Sequence, residues 1–257
     1  MSEPRGRPTY RFPLYGFLHL SCSIFFNVPK RSFFVDANYL INSHKPRPLV
    51  TGTENFPREE PFLIVANHYH RSGLWIGWVG AMLVDAIHEF HPVDFPLRIV
   101  VTDAQRFNFL GKSRTVPISG WFINRTAALW HMIKMPGDPD DTTGRATSLK
   151  QVLHILKKGD PVLFFPEGDR GTAFELVEAQ PGTGSFIALA ARRAKIVPVG
   201  FWEEGEQLRA HVAPPIAITS SNDETVRQQV MVAIGRMLPP PMWGPYAGLI
   251  AKSLSKA

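Results

Sequence analysis

An unbroken apolar run, Phe62-Leu63-Ile64-Val65-Ala66, passes without a spacer into Asn67-His68-Tyr69-His70-Arg71-Ser72-Gly73-Leu74-Trp75. Five successive apolar residues fit a strand buried on both faces better than one that alternates between core and water. Helix-compatible sequence follows over residues 72–87, with Gly77 and Gly80 permitting close packing. The run therefore commits the chain to a strand that hands over to a helix, with two imidazoles at the junction. Loops held on such a frame commonly carry catalytic groups, and a histidine there can act as general base toward a hydroxyl.

The same alternation recurs. Strands are predicted at 97–101, 118–124 (ending in Arg125), 161–165, 196–201 and within 210–218. Helices are predicted at 127–134, 145–158, 184–193 and 222–238. The second of these has an apolar face of Leu149, Val152, Leu153, Ile155 and Leu156, and Gly159 suits its C-terminus. Residues 32–61 read as polar and proline-punctuated, with a turn-bearing connector at 51–57. Strands alternating with helices predict an α/β fold with a mostly parallel or mixed central sheet flanked by helices, after an N-terminal apolar helical segment. The division expected is a membrane-interface segment at 1–45, the α/β domain at 46–238 and a tail at 239–257. A chain of 257 residues with 44% hydrophobic content can fill one sizeable core.

The net charge of +6 suits anionic partners: nucleic acid, an anionic membrane surface or phosphorylated substrates. No glycine-aromatic RNA motif, zinc-finger spacing or long basic run is present, so no nucleic-acid partner is expected. The single cysteine, Cys22, rules out an internal disulfide and favours a reducing compartment. His88-Glu89-Phe90-His91 has the wrong spacing for a zinc-protease helix, so no metal site is expected.

Residues 12–28 are rich in large apolar side chains but are broken by Pro13, Gly16, His19 and Asn27. Arg5, Arg7, Arg11, Lys30 and Arg31 flank them. The stretch is too short and polar for a membrane span, which needs ~20 apolar residues. It fits a helix in the membrane interface or a core-packing helix, and the tail after Pro241 carries the same two readings.

Three polar clusters fall at predicted strand ends: His68 with His70, Arg125, and Glu167-Gly168-Asp169-Arg170. In parallel sheets such ends share one edge, so the clusters could meet in one cleft. Arg125 and Arg170 offer planar forks for phosphate. Glu167 could accept from substrate hydroxyls or hold an arginine in place.

These residues also carry a family resemblance. Gly120-Trp121-Phe122-Ile123-Asn124-Arg125 is similar to a G-x-F-I-x-R block. Phe165-Pro166-Glu167-Gly168-Asp169-Arg170 is similar to F-P-E-G-T-R, with Asp169 for threonine, and Val197-Pro198-Val199 to a V-P-V block. With Asn67-His68 ahead of them, the chain resembles the glycerolipid acyltransferases, which include the 1-acyl-glycerol-3-phosphate acyltransferases, over residues 50–218. The family's first block, N-H-x-x-x-x-D, is incomplete. Counting from His68 its aspartate position is Gly73; counting from His70 it is Trp75.

The resemblance implies an O-acyltransferase of phospholipid biosynthesis, peripheral or monotopic on the cytoplasmic face of a membrane, with no separate cofactor. Its donor would be acyl-CoA or acyl carrier protein and its acceptor a lysophospholipid. His68 or His70 would be the base, and Arg125, Glu167, Gly168 and Arg170 would hold the glycerol phosphate. Asp103, Asn67 or the second histidine could stand in for the missing aspartate, or the acceptor could be acidic enough to need little help. The alternative is a homologue that has lost catalysis and acts as a lipid-binding or regulatory protein.

Overall fold

The computed structural model describes residues 8–26, 32–90, 97–103, 106–109, 112–115, 119–138 and 140–255. Arg5, Arg7, Asn27, Lys30, Arg31, His91 and Ile118, invoked above, lie outside them.

In chain order the elements are α1 (Leu14–Phe26), α2 (Phe33–Ser43), β1 (Leu49–Thr51), β2 (Phe62–Ala66), α3 (Gly77–His88), β3 (Arg98–Thr102), β4 (Arg106–Phe109), β5 (Lys112–Thr115), α4 (Ser119–Leu129), β6 (Ile133–Met135), α5 (Thr142–Lys158), β7 (Val162–Phe164), α6 (Thr183–Ala190), β8 (Lys195–Glu204), β9 (Gln207–Val212), α7 (Asp223–Gly235) and α8 (Ala247–Leu254). A seven-stranded sheet runs β1-β9-β8-β2-β7-β3-β6, and β4 and β5 form a separate antiparallel pair. All pairings in the large sheet are parallel except β8 with β9. The fold is therefore the expected α/β arrangement with a mostly parallel, mixed central sheet.

β2 lies at the centre, and every one of its residues is fully buried. It pairs in parallel with β7 (Val65 opposite Phe164) and with β8 (Ala66 opposite Val199). That register brings the loops after β2 and β7 out side by side on one sheet edge, so the histidine loop and the Glu167 loop become neighbours.

Three expectations are corrected. The sequence predicts a strand over residues 118–124, but from Ser119 the chain is helix α4, so Arg125 sits inside a helix. Trp121 and Phe122 are both exposed, whereas Thr126, Ala127, Leu129 and Trp130 are buried. That spacing belongs to a helical face and not to a period of two. The helix predicted at 127–134 ends early, and Ile133–Met135 is an edge strand. Residues 32–61 are not simply a polar connector. They hold α2, whose buried Asp36, Ala37, Leu40 and Ile41 form one face packed on α3. Trp130 Nε1 donates to the Asp36 carboxylate at 2.9 Å and joins α2 to the end of α4.

α1 buries Leu20 and Ile24 against Leu129 and Trp130. Its opposite side leaves Leu14, Tyr15, Leu18, Phe25 and Phe26 each more than half exposed. Thirteen residues rise only ~20 Å, and no helix among the described residues is long and apolar enough to cross a membrane. In the tail, α8 buries Ile250 and leaves Leu249 and Leu254 exposed.

Candidate active site

The histidine loop is fixed at both ends. Asn67 is buried, and its side chain continues the β2–β8 ladder. Its Nδ2 donates to the Phe201 carbonyl at 2.9 Å, and its Oδ1 accepts from the Phe201 amide at 2.7 Å. At the far end Arg71 and Leu74 exchange two backbone bonds across Ser72-Gly73, a tight turn with Gly73 at φ +76°. The Arg71 guanidinium grips both carboxylate oxygens of Glu203, and this pair is almost wholly buried. Tyr69 Oη donates to the same carboxylate, Arg71 Nη2 reaches the Pro8 carbonyl, and the Tyr10 amide donates to the Gly73 carbonyl.

The turn holds the position where the resemblance expects an aspartate. Gly73 occupies the family's carboxylate position counted from His68, but its backbone is left-handed, where side chains are disfavoured. A Cβ there would rest in ordinary contact with Thr9 and Arg71, so the backbone and not the space is what disfavours a side chain. Trp75, the position counted from His70, is half-exposed and lines the neighbouring cavity. Two of the other possible stand-ins are engaged elsewhere. Asn67 is committed to Phe201, and Asp103 accepts from the Gly137 amide at 2.9 Å. His70 meets His68 edge to face, with ring centroids 5.0 Å apart.

Among the described residues the His68 Nδ1 is buried with no hydrogen-bond partner, as is that of His70. Packing holds the His68 ring instead: His70 on one side, and the Phe165 ring on another at 5.2 Å and 84°. Gly171 lies so close that an added Cβ would sit 2.5 Å from His68 Cβ. Burial first, then the neighbouring His70, pushes the His68 imidazole down to about 4, against weaker pulls from the Gly171 backbone and Asp169. His68 is thus neutral at physiological pH.

Glu167 lies off the cavity wall. It is 1% exposed. Its Oε2 accepts from the His68 amide at 2.6 Å and its Oε1 from the Val177 amide at 2.7 Å. It fastens the loop after β7 to the histidine loop. Burial pushes its carboxyl up to about 7, opposed by those two amides and by Arg170. Arg170 is exposed and donates to the Glu178 carbonyl at 2.9 Å. The Arg125 guanidinium lies 5.8 Å over the Trp121 ring.

A cavity of about 330 Å³ opens beside His68. Most of its wall is apolar, with Phe33, Ile76, Ile99, Phe122, Trp130 and Phe165 among the contributors, and Gly80 leaves it room. His68 and Gly168 line it, whereas His70, Arg125, Glu167 and Arg170 do not. The structure therefore brings two of the six sequence-predicted site residues to the cavity. His70 and Glu167 lie directly behind them, and the two arginines lie outside the wall. Sequence reasoning missed Arg145 on α5, which does line the cavity. Its place in the first turn of a helix after the 136–144 loop gave no signal by itself, because the strand that loop leaves, β6, falls where the sequence predicts a helix. The site can thus present a neutral base at the end of an apolar pocket, with one cation in the wall.

Comparison with known proteins bears on the family and the fold. A family model described as acyltransferase matches residues 47–202. A 1-acyl-sn-glycerol-3-phosphate acyltransferase of Chlamydomonas reinhardtii is 26% identical over 193 residues, 74% of this chain and 46% of that protein. An uncharacterised protein of Mycobacterium tuberculosis is 26% identical over 155 residues, 58% of this chain and 35% of that one. The chain spans less than half the length of these relatives. The crystal structure of the 1-acyl-sn-glycerophosphate acyltransferase PlsC from Thermotoga maritima shares the fold. Its TM-score is 0.52 at 16% identity, covering 87% of this chain and 92% of that one.

Proposed function

This chain belongs to the glycerolipid acyltransferase family, and from that premise we propose that it moves an acyl chain from acyl-CoA or acyl carrier protein to a hydroxyl of a lysophosphatidate-like glycerol phospholipid, with His68 as the general base. The observation that carries the reading is one neutral imidazole, His68, set in the wall of a deep and mostly apolar cavity. Such a cavity suits a hydrocarbon chain with its reactive end beside the base.

In the reaction His68 accepts the proton of the acceptor hydroxyl as the oxygen attacks the thioester carbonyl. The C–S bond then breaks, and the departing thiolate takes that proton from the imidazolium. The pull of Asp169 on the charged ring is weaker than the cost of burial, so an imidazolium here is disfavoured by about 3 kcal/mol relative to water. The transfer should be slow for its family, with proton movement closely coupled to thioester attack.

A membrane surface is the proposed place of action. Phe25 of α1 meets Trp121 of α4 with ring centroids 6.3 Å apart, and the adjacent Phe122 and Ile123 line the cavity. The exposed apolar side of α1 therefore continues toward the cavity. This supports a helix lying in the lipid interface with the acyl chain entering beside it, on the cytoplasmic face expected above.

The unpartnered His68 Nδ1 favours a second reading, a lipid-binding or regulatory homologue that no longer turns over. Radiolabelled acyl-CoA and lysophosphatidate in detergent micelles separate the two. Labelled phosphatidate above a protein-free blank supports the enzyme. No product, together with saturable lysolipid binding by the same sample, supports the silent binder.

A further inference from the structure

We infer that Arg145 receives a phosphate group of a substrate lying in the His68 cavity and so positions that substrate, an inference that rests on the transferase reading above. Arg145 is the only arginine or lysine in the cavity wall among the described residues. It is half-buried, and among the described residues no ion pair, side-chain hydrogen bond or ring contact engages its guanidinium. The other charged group in the wall, Asp169, is exposed.

Arg145 stands on a rigid support. The Asp141 carboxylate accepts from the Gly144 amide at 2.8 Å and caps α5 immediately before it. One turn further on, the buried Ser148 hydroxyl donates to the Lys134 carbonyl at 2.7 Å and ties α5 to β6. The two arginines singled out by sequence are occupied, Arg125 over the Trp121 ring and Arg170 on the Glu178 carbonyl.

An unpaired guanidinium facing a mostly apolar cavity has lost part of its hydration without a partner in return. A phosphate restores it, because the planar fork gives two parallel charge-assisted bonds. The phosphate could be the monoester of the acceptor lipid or one of those on coenzyme A. Both have the same chemistry, and kinetics distinguishes them.

The test is steady-state transfer by the full chain and by its Arg145→Ala, Arg145→Gln and Arg145→Lys variants. Each substrate, lysophosphatidate and a long-chain acyl-CoA, is varied with the other saturating. The KM of one substrate should rise about tenfold to a hundredfold in the Ala and Gln variants, with kcat little changed and partial recovery in the Lys variant. A rise for lysophosphatidate assigns the acceptor phosphate; a rise for acyl-CoA assigns the donor. Unchanged KM for both, or a fall confined to kcat in variants that melt like the wild type, overturns the inference. If the wild type transfers nothing, the transferase reading fails on its own. Equilibrium binding of lysophosphatidate and of coenzyme A to the same variants then decides Arg145. Tenfold weaker binding of either ligand supports the inference, and unchanged binding of both overturns it.

Discussion

Replacing Gly171 by alanine should separate catalysis from folding. The Gly171 backbone has φ −62° and ψ 154°, which any residue adopts, so the substitution adds no backbone strain. The penalty is steric. The new methyl would lie 2.5 Å from His68 Cβ, 2.8 Å from the His68 carbonyl oxygen and 2.8 Å from Glu167 Oε2. Non-bonded carbons rest at about 3.5–4.0 Å, so the two loops must part by roughly 1 Å. Overpacking of that kind costs about 1–3 kcal/mol, which lowers Tm by roughly 2–12 °C for a chain of this size. A base displaced by 1 Å loses about 100-fold in rate. The assay is kcat/KM for transfer to lysophosphatidate alongside a thermal melt. Gly248→Ala serves as control, because a Cβ there meets nothing within 4 Å. The expected result is a folded variant about 100-fold slower. Wild-type transfer by folded Gly171→Ala would refute the claim that Gly171 and the Glu167 loop set the position of His68.

Other outcomes follow from the same geometry. Folding raises the Glu167 carboxyl from its ordinary 4.5 to about 7, so the native state holds a proton that the unfolded state gives up, and stability falls as pH rises through that window. His68 does the reverse, since folding lowers it from 6.5 to about 4 and stability falls as pH drops from 6.5 toward 4. Between pH 4.5 and 6.5 the two slopes oppose each other. Urea unfolding of Glu167→Gln should therefore show stability rising with pH by about 1.4 kcal/mol per unit relative to wild type, and His68→Ala should show the opposite slope. The acid limb of kcat/KM should fall near pH 4 and not near 6.5, read from transfer rates across that range. Gly73→Asp, which restores the family's carboxylate in sequence, should not speed transfer and should cost about 1 kcal/mol by melt, because its backbone is left-handed and turned toward Thr9.

Legibility followed burial. β2 and β7 were readable because a strand buried on both faces is a continuous apolar run, and each passes directly into a polar cluster. Their register then made neighbours of His68 and Glu167, as the strand-end rule anticipates. α4 was misread because a short apolar run carries no period that separates strand from helix. α2 was missed because its apolar face is only four residues and includes Asp36, whose partner Trp130 is distant in sequence. The sequence showed that the carboxylate was absent but not what holds the loop there. Ser72-Gly73 was a turn signal, yet the turn's attachment to Pro8, Tyr10 and Glu203 depends on contacts remote along the chain. The roles of Glu167 and Arg145 were likewise invisible. One needed the Val177 amide and the other the cavity wall, and neither is local.

The central claim is that His68, and not His70, is the base. Its most direct measurement is acyl transfer from radiolabelled acyl-CoA to lysophosphatidate by the His68→Ala and His70→Ala variants side by side under identical conditions. The account predicts that product formation falls to the protein-free blank in His68→Ala. His70→Ala should keep measurable transfer, because its ring lies behind His68 and outside the cavity. Transfer retained by His68→Ala and lost in His70→Ala would contradict it.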